Sequence, residues 1–272
     1  MHVFELTKPG GWLEGIDDER EMQDINALLD LLSDCLIDAA VSLSLFQEAS
    51  ANDYAQPGFD QEKREQERQQ EYLILKRMES DLMSRLRAEH GEEEAYKAYG
   101  EAYGSLVDQS HIEAKRLRWQ AGEVPKSYTG RLPFLHAKSC LYALDTMHKS
   151  LKTLKCLPAA PGQVEKAYSE FDAAFPGLVA VRDSAHHAED RVQGKKRKAR
   201  IEPVPVINDT IHAPNGFMAT DLLNGNRYGT TLADGSYGEV EISVASVAIA
   251  QRIVQSVFDA FQWRGHASHG PF

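Results

Sequence analysis

The spacing of apolar residues predicts three long helices in the first half of the chain. Over residues 17–49 apolar side chains recur at helical intervals, and no proline interrupts them. Residues 60–87 are highly charged but keep one apolar stripe, and residues 92–120 begin with acidic and end with basic side chains, as the helix dipole favours. Turn-forming residues separate the segments, so each is predicted as a helix of its own.

The second half of the chain predicts shorter helices that proline and glycine interrupt. Residues 121–133 contain two glycines and two prolines, which predict a linker between subdomains. Helical spacing returns over residues 134–157 and again over residues 164–192, the latter with a turn at Pro176 and Gly177.

The pattern changes beyond residue 200. Residues 202–241 combine proline, glycine and asparagine with short β-prone runs, which predict a β-hairpin and ordered loops. Residues 243–263 return to helical spacing, with Ser243 as a predicted N-cap. The last residues, with His266 and His269, are expected to form a mobile tail.

Together these elements predict a mainly all-α fold in two parts. The 272 residues suit one domain with a substantial extension better than two full-sized domains. We predict an N-terminal helical extension of three long helices over residues 1–125. A helical bundle over residues 133–272 follows, with a β-hairpin inserted at 202–241 before its last helix.

Composition excludes several classes of protein. With 42% hydrophobic and 26% charged residues, the chain resembles a globular protein. No apolar stretch approaches the roughly 20 residues that cross a bilayer, and no basic leader is present, so we expect a cytoplasmic protein without membrane contact. Cys35, Cys140 and Cys156 contain no CxxC pair, which fits a reducing compartment and excludes a cysteine-only zinc site.

Charge is distributed unevenly along the chain. Residues 1–125 hold 27 acidic and 13 basic side chains, a balance of −14, so the remaining residues carry +3 of the net charge of −11. A basic cluster in the second half can attract phosphate, although a solvated linker would have the same composition. Its members are Arg191, Lys195, Lys196, Arg197, Lys198 and Arg200.

The segment around residues 181–194 carries the strongest chemical signal. Cleavage of a phosphodiester without metal needs a group that moves the proton of a 2'-hydroxyl and a fixed cation that holds the phosphate. His186 or His187 could move the proton, and Arg182 could hold the phosphate. On a helix Arg182 and His186 share a face, whereas His187 is rotated from Arg182 by about 140°.

The same residues resemble the motif of the HEPN superfamily (higher eukaryote and prokaryote nucleotide-binding domains). Arg182, Asp183, three intervening residues and His187 match its arginine, polar residue, spacer and histidine pattern. The surroundings are also similar to a longer form of the motif in some bacterial families, with His186 where a glutamate is expected and Glu189 where some toxins have tyrosine. The resemblance covers roughly residues 133–264.

The resemblance implies both a fold and a function. Members are helical bundles that often dimerise through the motif helices, so that two copies line a shared cleft. Active members are metal-independent endoribonucleases of toxin-antitoxin, CRISPR and antiviral (phage defence) systems. Carried over, Arg182 would contact the scissile phosphate, His187 would act as general acid or base, and Asp183 would orient them. RNA and a second copy are the implied partners, and no cofactor is implied.

Other interpretations of these residues stay open. Arg182 could form surface ion pairs with neighbouring carboxylates, and His187 could be a half-buried hydrogen-bonded residue. Cys140, near His136 and His148, is more typical of core packing than of a nucleophile. A metal site is conceivable from His186, His187, Glu189, Asp190 and His212. The alternative function is a non-catalytic interaction or oligomerisation module whose acidic N-terminal helices bind a basic protein partner.

Overall fold

The structure is a computed structural model that describes residues 1–54, 61–196, 199–208 and 210–271. It is mainly helical, with small antiparallel sheets. The helices are α1 (Glu19–Tyr54), α2 (Gln61–His90), α3 (Glu92–Gln120), α4 (Lys126–Thr129), α5 (Leu132–Leu154), α6 (Gly162–Ala174), α7 (Leu178–His186), α8 (Ala188–Val192) and α9 (Val244–Phe258). The strands are β1 (Leu6–Lys8), β2 (Trp12–Glu14), β3 (Lys195–Lys196), β4 (Ala199–Arg200), β5 (Val206–Ile207), β6 (His212–Ala213), β7 (Leu222–Asn224), β8 (Arg227–Thr231), β9 (Tyr237–Glu241), β10 (Gln262–Arg264) and β11 (Ser268–Gly270).

The chain divides into two compact units. The core unit contains residues 1–51 and 131–272, and the helical-hairpin unit contains residues 52–130. This division differs from the predicted boundary after residue 125, because most of α1 belongs with the later residues. The physical reason is the apolar face of α1, most of which is buried in one hydrophobic cluster with α5 and α9.

That cluster is the core of the first unit. Its fully buried side chains include Ile25, Leu29, Leu32, Leu36, Leu141, Leu144, Met147, Leu151, Val254 and Val257. Each helix supplies them at intervals of three and four residues, as an amphipathic helix requires. Burying a side chain of this size contributes about 1.5 to 3 kcal/mol, so this cluster determines where α1 packs.

The termini form small sheets that the sequence pattern did not indicate. Strand β1 pairs with β11, and β2 pairs with β10, both antiparallel. The expectation of a mobile tail is therefore wrong for His269, which lies in β11. Its Nδ1 lies 2.8 Å from Thr7 Oγ1. Ser243 is the N-cap of α9, as predicted. The helix ends at Phe258 instead of the predicted residue 263, because Gln262–Arg264 form β10.

The segment 202–241 contains a β5–β6 pair and the three-stranded sheet β7–β8–β9. Asp221 links this region to α5. Its Oδ1 accepts the Tyr228 hydroxyl hydrogen bond and lies 2.7 Å from Lys138 Nζ, and its Oδ2 lies 3.1 Å from Arg131 Nη2. We call these four residues the Asp221 cluster. Both carboxylate oxygens are engaged, so this cluster holds the sheet against α5.

The helical-hairpin unit consists mainly of α2 and α3, with Gly91 between them at a φ of 78°. That left-handed value favours glycine and lets the chain reverse. The bounds of α3 are the ones the sequence predicts, whereas α4 forms within the predicted linker. Among the described residues no helix is long and apolar enough to cross a bilayer.

Candidate functional site

Arg182 lies on the short helix α7. This helix starts after Gly177, which has a φ of 76° and ends the preceding turn. Its side chain is 16% exposed and is held by two carboxylates. Nε lies 2.8 Å from Asp145 Oδ2 and Nη1 lies 2.7 Å from Asp183 Oδ1. Asp183 thus contacts the arginine that it was expected to orient, and the positive charge of Arg182 is compensated within one subunit.

Asp145 is the residue that sequence reasoning missed. It lies on α5 with a side chain only 4% exposed, and its Oδ2 also lies 2.8 Å from Lys149 Nζ. Asp145 Oδ1 has no hydrogen-bond partner. Arg182 Nε is close to Asp145 Oδ2, but this contact does not have the geometry of a hydrogen bond. We call Asp145, Lys149, Arg182 and Asp183 the Asp145 cluster. A signal existed, because Asp145 interrupts the apolar stripe of its helix.

His148 lies one turn further along α5 and is also buried. Its Nε2 lies 3.3 Å from Asp172 Oδ1, but neither ring nitrogen makes a hydrogen bond. The ring packs against Tyr168 with 5.1 Å between centroids. His148, Asp172 and Asp183 are the titratable residues that line a cavity of about 350 Å³ beside the start of α7. The other residues that line this cavity are apolar or glycine.

His187 lies at the other end of α7, where the helix breaks. Its φ of −99° and ψ of 46° separate α7 from α8, so the predicted continuous helix is interrupted here. The side chain is 55% exposed, and Nδ1 lies 3.5 Å from Glu189 Oε1. The His186 ring is exposed as well and meets His187 edge to face at 5.3 Å. Both imidazoles are accessible to solvent.

The two motif residues have different surroundings within the subunit. Arg182 is mostly buried between carboxylates, whereas His187 is at the surface. No hydrogen bond or ion pair in the described chain joins them. Since His187 is not helical, the rotation of about 140° that a continuous helix would impose does not apply to it.

The basic cluster is divided by burial. Arg191 is 4% exposed; its Nε donates to Ser184 Oγ at 3.4 Å and its Nη1 donates to the Lys195 carbonyl oxygen at 2.8 Å. Arg191 is therefore removed from the predicted RNA-binding set, because its donors tie α7 to β3. Lys195, Lys196 and Arg200 are exposed on the β3–β4 pair, and Arg197 and Lys198 lie outside the described residues.

The described residues do not support the metal site or the cysteine nucleophile that the sequence left open. Within the described ranges no three histidine, cysteine or acidic side chains come together to hold a metal ion, so the conceivable set of His186, His187, Glu189, Asp190 and His212 is not assembled. Burial raises the pKa of the Cys140 thiol to about 12, so this thiol stays protonated near neutral pH. Cys140 is a core residue, as the apolar stripe of α5 indicated.

Comparison with protein-family models, curated protein sequences and solved structures gave no significant match for this chain. The resemblance to the HEPN superfamily therefore depends on the motif residues and their surroundings alone.

Proposed function

We propose that this chain acts on RNA as a HEPN-like, metal-independent endoribonuclease or as a derivative of one. The observation that carries the proposal is the exposure of His186 and His187 at the end of the helix that holds Arg182. An exposed imidazole can exchange protons with a substrate near neutral pH. The basic strands β3 and β4 follow directly in the chain and add positive charge for a polyanion.

The chemistry is a transesterification. The imidazole of His187 takes the proton of a ribose 2'-hydroxyl, and the 2'-oxygen attacks the adjacent phosphorus. The bond from phosphorus to the 5'-oxygen breaks, and the leaving oxygen receives the proton that the imidazole removed, so that His187 returns to its starting state. The products are a 2',3'-cyclic phosphate and a 5'-hydroxyl, and a cation beside the phosphate stabilises the charge of the transition state.

Arg182 supplies that cation in the proposal. Its two carboxylate contacts involve Nε and Nη1, and a guanidinium carries five N–H donors. Donors therefore remain for a phosphate oxygen. Asp183 is 53% exposed and is the partner that a phosphate can replace, while the buried Asp145 keeps the guanidinium in place.

The buried Arg191 positions the RNA-binding strands. Because it donates to Ser184 on α7 and to Lys195 on β3, it ties Lys195, Lys196 and Arg200 to the helix that carries the motif. Lysine and arginine contacts to phosphate weaken with salt, so RNA affinity should fall steeply as ionic strength rises.

The direct test is cleavage of single-stranded and hairpin RNA by the full chain in EDTA. We expect products with cyclic phosphate ends, and no cleavage where a 2'-deoxynucleotide replaces the ribose at the cleaved position. His187→Ala should slow cleavage about a hundredfold. The exposed His266 lies outside the motif, so His266→Ala is the matched control and should keep the wild-type rate. RNA that stays intact over long incubation contradicts the proposal.

A shared site between two copies can be tested by mixing variants. If Arg182 of one copy works with His187 of the other, mixing Arg182→Ala and His187→Ala chains creates one complete site in each mixed dimer. Activity should then recover to about a quarter of the wild-type rate, since half the dimers are mixed and each has one of two sites complete. No recovery would place both groups within one subunit.

The second candidate function is a non-catalytic interaction module. The observation that favours it is the pairing of Arg182 with Asp145 and Asp183 inside one subunit, which suffices to explain the arginine as a structural residue. In that case Arg182→Lys and His187→Ala cause no change in RNA cleavage. The only effect of Arg182→Ala is a lower free energy of unfolding.

A further inference from the structure

Helix α1 has a second stripe on the side opposite its buried face. Positions at intervals of four, three, four, three and four residues are all exposed in the core unit. This stripe, which we call the α1 seam, consists of Ala27, Leu31, Asp34, Asp38, Val41 and Leu45. Leu31, Val41 and Leu45 are each about 40% exposed. Alternating steps of three and four are the spacing with which one helix packs along another.

The centre of the α1 seam is negatively charged. Asp34 and Asp38 form no ion pair among the described residues, whereas the neighbouring Asp30 is paired with Lys8 at 3.3 Å. Arg20 is the one basic residue in the sequence of α1, against eight acidic ones. Together with burial, Asp38 and Asp34 raise the pKa of the adjacent Cys35 thiol to about 11. Their field is therefore not compensated locally.

We propose that the α1 seam is a docking surface for a basic amphipathic helix of a partner protein. Such a helix carries apolar side chains opposite Leu31, Val41 and Leu45. It carries lysine or arginine opposite Asp34 and Asp38. The apolar ends exclude water, and the central charges select the partner and its register. This surface is separate from the proposed ribonuclease residues.

Charge excludes two other occupants. If a second copy packed antiparallel along the same stripe about its midpoint, Asp34 of one copy would face Asp38 of the other. A parallel pair would set each aspartate against itself. Like charges in a helix seam oppose pairing, so the occupant is not another α1. A nucleic acid backbone is repelled by the same carboxylates.

The test uses two synthetic helical peptides of about 21 residues, or three heptads. They share leucines at the outer seam positions and differ at the two central ones, which are lysine in the basic peptide and glutamate in the acidic peptide. Fluorescence anisotropy with the full chain measures binding. We expect the basic peptide to bind at least tenfold more tightly, with an affinity that falls as salt is added.

Variants of the seam make the result specific. Asp34→Lys with Asp38→Lys should reverse the preference, so that the acidic peptide becomes the tighter ligand, and binding of a peptide at all shows that this variant is folded. Leu45→Glu should weaken both peptides. All these variants should cleave RNA at the wild-type rate if the ribonuclease proposal holds, so the two proposals fail separately.

Three outcomes would overturn the docking proposal. Either the wild-type chain does not distinguish the two peptides, or the double lysine variant does not reverse the preference. Loss of dimers in Leu45→Glu, measured by sedimentation, would instead assign the surface to a second copy and contradict the proposal equally.

Discussion

Two acid-centred clusters lie along α5, and each contains one arginine and one lysine. In the Asp221 cluster an arginine, a lysine and a tyrosine hydroxyl engage both carboxylate oxygens. In the Asp145 cluster an arginine and a lysine approach the same oxygen, Oδ2, and Oδ1 makes no hydrogen bond. Similar charges thus form one complete and one incomplete network.

The difference separates a structural role from a candidate functional one. A network in which both carboxylate oxygens are engaged holds its part of the fold in place, which suits the attachment of β7–β8–β9 to α5. The incomplete cluster includes Arg182 on α7, where, in the proposed mechanism, a phosphate replaces the exposed Asp183. The arginine and the lysine that the two clusters share do not distinguish them, whereas the hydrogen bonds and the burial of the central carboxylate do.

The largest expected effect comes from removing the more buried carboxylate. Asp145→Ala leaves the mostly buried guanidinium of Arg182 with one partner, so the free energy of unfolding should fall by about 3 to 5 kcal/mol. Asp221→Ala, at a partly exposed site, should cost about 1.5 to 3 kcal/mol. Urea unfolding followed by circular dichroism checks both. Equal losses for the two variants would remove the distinction between the clusters.

The two arginines offer the next comparison, in activity. Arg182→Ala should slow RNA cleavage about a hundredfold, which corresponds to about 2.7 kcal/mol of transition-state stabilisation. Arg131→Ala breaks the corresponding pair in the Asp221 cluster, whose arginine is exposed, and should leave the rate within about twofold. Both rates are measured on the same RNA in EDTA. A comparable loss in Arg131→Ala would mean that Arg182 acts only through the fold.

Acid should weaken the Asp221 cluster. Although burial raises the pKa of Asp221, its bonds from Lys138, Tyr228 and Arg131 outweigh burial and hold this pKa below its usual value near 3.8. A carboxylate with a lowered folded-state pKa stabilises the fold above the unfolded value and loses that contribution as the pH falls through the folded value. The stability gap between wild type and Asp221→Asn should therefore narrow below about pH 4. A constant gap from pH 6 to pH 3 in urea unfolding would contradict this.

The smallest effect is expected at the basic strands. Lys195→Gln with Lys196→Gln should lower the slope of log affinity for RNA against log salt by about one to two units. The free energy of unfolding should stay within about 0.5 kcal/mol of wild type, because both side chains are exposed. Fluorescence anisotropy over a salt series measures the slope, and an unchanged slope would remove these lysines from the RNA surface.

Helix positions were largely predictable from periodicity, because amphipathic spacing is a local property. The segment Glu92–Gln120 begins and ends where the acidic start and the basic end place it. Ser243 caps α9 by accepting from the Ser246 amide, as its position before an apolar run indicates. The ends of α5 and α9 shifted by a few residues, and α9 ends early because the residues after it form β10, which pairs with the distant β2.

The candidate site was predictable in its residue types and less so in its geometry. The sequence pointed to Arg182, Asp183, His186 and His187, and it included Arg191 among the exposed cations. Burial of Arg191 depends on its contacts with Ser184 and with the Lys195 carbonyl. Asp145 was missed because it lies 37 positions from Arg182 in the sequence, and only the packing of α5 against α7 brings them together.

Periodicity, composition and motif spacing, which depend on neighbours along the chain, were enough to indicate a mainly helical protein and to single out one segment as a candidate site. The grouping of α1 with residues 131–272, the pairing of the terminal strands, and the carboxylates around Arg182 depended on contacts between residues far apart in the chain. Those contacts are chosen by burial of apolar faces and by satisfaction of buried charges, which are properties of the packed structure.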